Sequence, residues 1–278
     1  MPADRTVAAL LEGAGFDARE ARLLLAAATG VGTALLVAFP EREVEAAASR
    51  RYLDMAQRRR AGEPVAYILG SREFYGREFS VTPAVLIPRP ETELLVDLGL
   101  ARIDRTASAV AVLDLGTGSG VVALTIACEA QNAHVTAVDV SPAALTVARG
   151  NLERLALPRS PRLLQSDWFA SLGDARFDLI VGNPPYVAEG DAHLARGDLR
   201  FEPRGALAAG AAGLDAITKI TSQAPRYLAP GAWLLLEHGY DQGSACRALL
   251  TAAGLREVQT WPDLAGLDRV SGGVAPRA

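Results

Sequence analysis

Two cysteines, three histidines and no long apolar run remove several function classes from this 278-residue chain. Cys128 and Cys246 lack any motif spacing, so neither a disulfide framework nor a structural zinc site is expected. Both fall within apolar helical patterns, where a free thiol behaves as a small hydrophobe. His134, His193 and His238 are scattered, and no metal is expected. No stretch approaches the roughly 20 apolar residues of a membrane-spanning helix. The start lacks the basic, then apolar, pattern of a secretory signal, so a cytoplasmic location is expected. Basic excess is also missing: the formal net charge is −4. A duplex-binding protein needs a cationic face to displace counterions, so no stable nucleic-acid binding is expected. The one basic run, Arg58-Arg59-Arg60 with nearby Arg50 and Arg51, reads as a solvated helix face. There is no internal repeat and no low-complexity tail.

What is present is a composition half hydrophobic and 22% charged, enough apolar material for a sizeable core. Residues 6–61 read as helices, with Leu10, Leu11 and Ala14, then Leu23, Leu24 and Ala27, at helical spacing. Glycines at 13, 15, 30 and 32 punctuate them, and a longer helix is expected over 41–61, ending at Gly62. Phe74, Tyr75, Gly76, Phe79 and Val81 suggest a hairpin turning near Gly76 and Arg77. After the proline-rich stretch 83–90, short apolar runs at 109–115, 135–140, 162–165, 179–181 and 233–237 alternate with helical segments. That alternation predicts an α/β fold, a parallel sheet with helices on both faces. The expected division is a helical domain over 1–71, a hairpin linker over 72–88 and the α/β domain over 89–278.

The first strand of that sheet runs into Gly116-Thr117-Gly118-Ser119-Gly120 and then a helix. Glycines there let backbone approach a ligand and leave helix-start N–H groups available. The spacing is not that of the dinucleotide enzymes. Asp139, just beyond the second strand, is placed to accept both hydroxyls of a ribose, while Ser141 before Pro142 serves as the next helix cap. Ser166-Asp167-Trp168-Phe169 closes the third strand with a carboxylate for an exocyclic amine and an aromatic ring to stack on a base. These three strand ends together point to an adenosine-type cofactor.

The fourth strand ends in Gly182-Asn183-Pro184-Pro185-Tyr186. Two prolines keep this loop from continuing a strand or entering a helix. It presents the Asn183 side-chain oxygen and the Pro184 carbonyl as rigid acceptors, with Tyr186 to lie against a flat substrate. An amide or aniline-like nitrogen is a poor nucleophile because its lone pair is delocalised. Two acceptors on its hydrogens favour pyramidalisation, a positioning and electrostatic effect. With no histidine or carboxylate in the loop, the surplus proton is expected to leave to water.

These residues resemble the class I S-adenosylmethionine-dependent methyltransferases with an Asn-Pro-Pro-Tyr loop. That loop is shared with N6-adenine and N2-guanine nucleic-acid enzymes, and it identifies a type of nitrogen, not a substrate. Further segments are similar to the PrmC/HemK family of peptide chain release factor N5-glutamine methyltransferases. They are Phe74-Tyr75-Gly76 to Phe79, Leu86 to Glu93, Phe201-Glu202-Pro203, Leu236-Glu237-His238-Gly239 with Gln242, and Asp263-Leu264-Ala265-Gly266 to Arg269. His238 stands where many relatives would carry an isoleucine-like residue. The resemblance implies a Rossmann-like sheet behind an N-terminal helical domain for docking the substrate. It implies S-adenosyl-L-methionine held by Gly116 to Gly120, Asp139, Asp167 or Trp168, and Asn183, with Arg89 to Thr92 near its methionine end. It also implies a class I release factor as partner, the glutamine of its Gly-Gly-Gln motif being gripped by Asn183, Pro184, Pro185 and Tyr186. A nucleic-acid base methyltransferase is the alternative. A non-catalytic binding module or a nicotinamide oxidoreductase fits the intact loop and the glycine spacing less well.

Overall fold

Capped, leucine-bearing segments at the N-terminus fold as α1 (Val7–Glu12), α2 (Ala18–Thr29), α3 (Thr33–Ala38), α4 (Ala46–Arg60) and α5 (Val65–Leu69). The computed structural model describes residues 5–277. It divides into two units, one formed by the chain up to Ser71 with Gly197–Phe201, the other by Arg72–Arg196 with the chain from Glu202 onward.

In the first unit Asp17 caps α2 by accepting from the N–H groups of Arg19 and Glu20, and Gly30 stops it at a φ of 71°. The expected long helix begins at Ala46 and not at Glu41. Val7 N–H donates to the Arg42 carbonyl at 3.0 Å and Val44 N–H to that of Arg5 at 2.9 Å, which holds 42–44 extended. Leu24, Leu25, Tyr52 and Ala56 are the core, and the Tyr52 hydroxyl donates to the Leu10 carbonyl at 3.2 Å. The basic run is exposed except at Arg59, as a solvated face implies, but most of its guanidinium groups also have partners within the protein. Arg59 grips Glu20 at 2.7 Å and Asp198 at 3.0 Å. Arg60 donates to the carbonyls of Ala14 and Gly13, and Arg51 to that of Ala28. Guanidinium forks thus tie helix ends together, since each offers several fixed donors.

A hairpin of β1 (Ser71–Phe74) and β2 (Arg77–Ser80) begins at the boundary and belongs, from Arg72 on, to the second unit. Their turn is Tyr75-Gly76, one residue earlier than expected, with φ of 53° and 70° at the two positions, as a tight two-residue hairpin requires. The hairpin is no detached linker. Phe74 and Phe79 are buried in the main core, and Ser80 exchanges two hydrogen bonds with the Asn151 side chain.

The sheet contains β3 (Val110–Leu115), β4 (Ala133–Asp139), β5 (Arg162–Gln165), β6 (Phe177–Gly182), β7 (Leu228–Glu237), β8 (Arg256–Pro262) and β9 (Asp268–Val274), in the order β5-β4-β3-β6-β7-β9-β8. The five strands β3 to β7 are parallel, as the apolar runs suggest, but β9 is antiparallel to both β7 and β8. The sheet is therefore mixed. This pair escapes a reading of apolar runs because β8 is largely polar and β9 carries Gly272-Gly273. A Cβ at Gly272 would lie 2.6 Å from the Leu234 carbonyl oxygen.

Alternation along the parallel strands places two cores. Val112, Leu179 and Leu235 face α6 (Glu93–Leu100) and α7 (Val121–Glu129). Leu113, Ile180, Leu234 and Leu236 face α9 (Asp215–Gln223) and α10 (Gly243–Ala252). Between β4 and β5 runs α8 (Pro142–Leu155), capped by Ser141 through the Ala144 N–H. Cys128 lies on α7 and Cys246, buried, on α10.

Candidate active site

Strand order reverses between β3 and β6, and an open α/β sheet has its ligand crevice at the carboxyl edge of such a point. Leu115 pairs with Gly182 there, so the glycine loop and the Asn183 loop leave the sheet side by side. Gly182 is fitted to this place, because a Cβ on it would meet the Leu115 carbonyl oxygen at 3.2 Å. A cleft of about 480 Å³ opens above, within the usual range for small-molecule sites.

The loop after β3 is braced from within. The N–H groups of Gly116 and Thr117 both donate to the Val138 carbonyl at 2.9 Å, and Gly120 N–H donates to that of Thr117. Gly118 N–H donates to Asp139 Oδ2 at 2.9 Å. These loop donors, and the Ala123 N–H at the helix start, are engaged inside the protein. What the glycines offer is missing volume: Gly118, at a φ of 56°, has nothing within 4 Å of where a Cβ would stand. Beneath the loop, the buried carboxylate of Asp114 accepts from Thr117 Oγ1 at 2.6 Å and from Ala123 N–H at 3.2 Å. Burial pushes its pKa up to about 7 despite those two bonds, with the Asp139 charge adding to the rise.

Gly116, Thr117, Gly118, Ser119, Asp139, Asp167, Trp168, Asn183 and Pro185 all line the cleft, so nine sequence-derived candidates converge on one wall system. Asp139 accepts from Ser141 N–H through its other oxygen, at 2.8 Å. It keeps unused lone pairs on both oxygens, since each has two. Asp167 pairs with Lys219, the chain's single lysine, at 2.6 Å. Trp168 adopts a φ of 52° and lays its ring edge beside Gly116, where a Cβ would touch Cζ3 at 3.4 Å. Val140, 64% exposed and one residue beyond the end of β4, supplies an apolar patch next to Asp139. Gly120 is not a lining residue but starts α7 at a φ of 87°.

The Asn183 side chain has a definite polarity. Its Nδ2 donates to Thr92 Oγ1 at 3.1 Å, while Oδ1 takes no bond from the described residues. The oxygen is left for a ligand. Pro184 is buried and, like Tyr186, stands outside the cleft lining. The Tyr186 hydroxyl reaches back to Glu237 Oε1 at 3.2 Å, and burial followed by the Glu237 charge raises its pKa strongly. Gln242 Nε2 donates to the Tyr186 carbonyl at 3.0 Å, and Gly213 passes so close that any Cβ would collide with that oxygen. His238 is buried in a chain of donors running Arg247, Thr260, Ser271, His238 and finally the Gly239 carbonyl. It holds the turn that carries Gln242, and burial lowers its pKa. Asp114 and Val140 were not singled out from sequence, and Gly182 and Glu237 were named within their segments without a role, because single acidic or small residues at strand ends carry no spacing signal. Among the described residues no His, Cys, Asp and Glu cluster could hold a metal ion.

Family models match the two parts of the chain. A methyltransferase small domain matches residues 92–199 and a PrmC N-terminal domain residues 5–70. A release factor glutamine methyltransferase of Burkholderia pseudomallei is 51% identical over 99% of this chain and 98% of its own length. That of Salmonella typhimurium is 46% identical over 92% and 91%. Among solved structures, a T. Thermophilus 16S rRNA N2 methyltransferase in complex with AdoMet and guanosine shares the fold. Its TM-score is 0.54 at 24% identity, covering 74% of this chain and 49% of that one.

Proposed function

Because the chain belongs to the release factor glutamine methyltransferase family, we infer that it methylates the side-chain amide nitrogen (N5) of a glutamine in a class I peptide chain release factor, at the Gly-Gly-Gln motif, with S-adenosylmethionine as donor. The observation that carries this reading is the Asn183 amide, whose NH₂ is committed to Thr92 while its oxygen is left for a ligand.

The cleft fits such a cofactor. Gly118 leaves room for a bulky group against the loop, Asp139 retains acceptor capacity for a ribose diol, and Val140 and Trp168 offer apolar walls for a base. Arg89 and Thr92 line the cleft as well, on the side of Asn183. When bound, the cofactor supplies an electrophilic methyl group on a sulfonium centre.

The chain's own residues supply the rest. Asn183 Oδ1 accepts one hydrogen of the incoming amide and the Pro184 carbonyl the other. Fixing both hydrogens turns the nitrogen lone pair out of conjugation, and rigid acceptors cost no reorganisation as charge develops. Tyr186 flanks the substrate with its ring while its hydroxyl stays on Glu237. The surplus proton leaves to water.

The helical unit is read as the module that docks the release factor. No helix among the described residues is long and apolar enough to cross a membrane; a cytoplasmic location belongs to the same proposal. The test is peptide mass spectrometry of a purified release factor after incubation with this protein and the cofactor. One added methyl group on the Gly-Gly-Gln glutamine is expected. Methylation of duplex DNA or ribosomal RNA in place of the protein would overturn the reading.

A further inference from the structure

Large apolar side chains of the second unit are almost all covered. Among the described residues only Val140, Tyr240, Leu264 and Leu267 are exposed there. Val140 belongs to the wall of the cleft. The other three gather at the carboxyl edge of the sheet, beyond β7 and β8. Leu264 is fully exposed, Tyr240 64% and Leu267 46%. Exposed apolar side chains gathered at one place mark an interaction site, whereas scattered ones need no explanation.

The loop that carries the two leucines, Asp263 to Leu267, is stiff. Asp263 Oδ1 accepts from the N–H groups of Ala265 at 2.9 Å and Leu267 at 3.1 Å. Its Oδ2 accepts from the Arg269 guanidinium at 3.1 and 3.2 Å. Asp263 N–H donates to the Leu267 carbonyl and Gly266 N–H to that of Asp263, with Gly266 at a φ of 78°. Every one of these bonds comes from the backbone or from the Asp263–Arg269 pair. The side chains at 264 and 267 supply none, so polar residues would serve the turn as well as leucines do. Apolar groups held out on a preformed loop meet a partner with little ordering entropy left to lose.

Hydrogen bonds also fix where this loop stands. Val270 pairs with Glu237 across β9 and β7, and the His238 backbone N–H donates to the Arg269 carbonyl at 2.9 Å. The next turn carries Tyr240 and is closed by Gln242 N–H on the Gly239 carbonyl. Gln242 Nε2 in turn donates to the Tyr186 carbonyl at 3.0 Å. An unbroken path of paired backbone therefore joins the Asn183 to Tyr186 loop to the leucines. A glutamine side chain is short, so the residues flanking a target glutamine must lie on the rim beside that loop.

We propose that Tyr240, Leu264 and Leu267 form a docking ledge for the protein substrate, covered by apolar side chains that flank the target glutamine. The proposal rests on the reading of a release factor as that substrate. Its continuity with the catalytic loop argues for this occupant over a second copy of the chain.

The test uses the full chain with release factor and compares wild type with Leu264→Ser, Leu264→Met and Leu264→Asp. A fully exposed side chain contributes nothing to the core, so thermal unfolding should be the same in all four. Leu264→Ser should raise KM for release factor about tenfold, the size expected of an apolar anchor at an interface. Its kcat and cofactor affinity should stay within about twofold, and Leu264→Met should match wild type. Calorimetric binding of release factor in the presence of S-adenosylhomocysteine should weaken by the same factor without any turnover. A KM within twofold of wild type in both Leu264→Ser and Leu264→Asp would overturn the proposal. So would a wild-type dimer in sedimentation that Leu264→Asp dissociates, which assigns the ledge to a second copy. Failure of wild type to methylate release factors rejects the substrate reading, and binding then decides the ledge alone: equal dissociation constants, or no binding, reject it.

Discussion

The guanidinium of Arg89 is clamped on the carboxylate of Glu202, 113 residues further along the chain. Glu202 is 4% exposed, and its other oxygen accepts from the Ile87 N–H at 3.0 Å. One buried acid therefore fixes the extended Leu86 to Pro90 strip along the cleft, next to Pro203 on the same wall. Its removal leaves the part-exposed Arg89 guanidinium without its acid and the buried Ile87 N–H without its acceptor, the latter typically costing about 1–3 kcal/mol. Glu202→Ala is expected to lower thermal stability and to weaken cofactor binding by calorimetry, whereas Glu202→Gln should keep the Ile87 contact and lose less.

Asn183→Ala removes the acceptor aimed at the substrate without touching the ribose or base side of the cleft. Cofactor affinity should stay within a few-fold while kcat falls about 10²–10³-fold, as for the loss of one preorganised partner. Equal losses in binding and turnover would contradict the role given to Asn183.

Gly118→Val places a branched side chain at a φ of 56° in the open part of the cleft. The backbone strain is of order 1–3 kcal/mol, and the methyl groups occupy cofactor space. Cofactor dissociation constants should rise steeply. Gly120→Ala differs, because its Cβ would stand 2.9 Å from Leu124 Cδ1 at a φ of 87°. There the loss should show in thermal unfolding before it shows in binding.

The pH dependence of stability has a definite sign. Glu237 and Asp114 each have a folded pKa raised to about 7 by burial. Their contributions are full below the unfolded carboxylate range and are lost as pH rises through about 7. Glu237→Gln should thus match wild type near pH 4 and exceed it at pH 8, by up to about 3 kcal/mol. His238 works in the opposite sense. Its lowered pKa means stability is complete above the unfolded value near 6.5 and declines as pH falls below it. Urea titrations at pH 4, 6 and 8 on wild type and Glu237→Gln separate the two.

A truncated chain tests the docking role of the helical unit. The cut belongs just before Arg72, because Phe74 and Phe79 are part of the second unit's core. The shortened protein should bind cofactor normally and methylate intact release factor poorly, by turnover measured at fixed enzyme concentration. Normal methylation would exclude a docking role.

Local signals were enough for much of this protein. Apolar runs of strand length separated by helices produce parallel β3 to β7, and the glycine loop, Asp139, Trp168 and the Asn-Pro-Pro-Tyr segment sit at strand ends because each follows its run directly. Chain chemistry of this kind is short-range, so it survives without a structure. Pairings across long separations were decided only by packing. The antiparallel β9 forms because Gly272 lets a strand lie against Leu234. Arg51, Arg59 and Arg60 reach helix-end carbonyls because packing brings those carbonyls within range. Glu237 acquires its environment from Thr92, Tyr186 and Arg269, which stand far apart in sequence. A buried group takes its charge state and its bond partners from neighbours, and only tertiary structure brings those neighbours together.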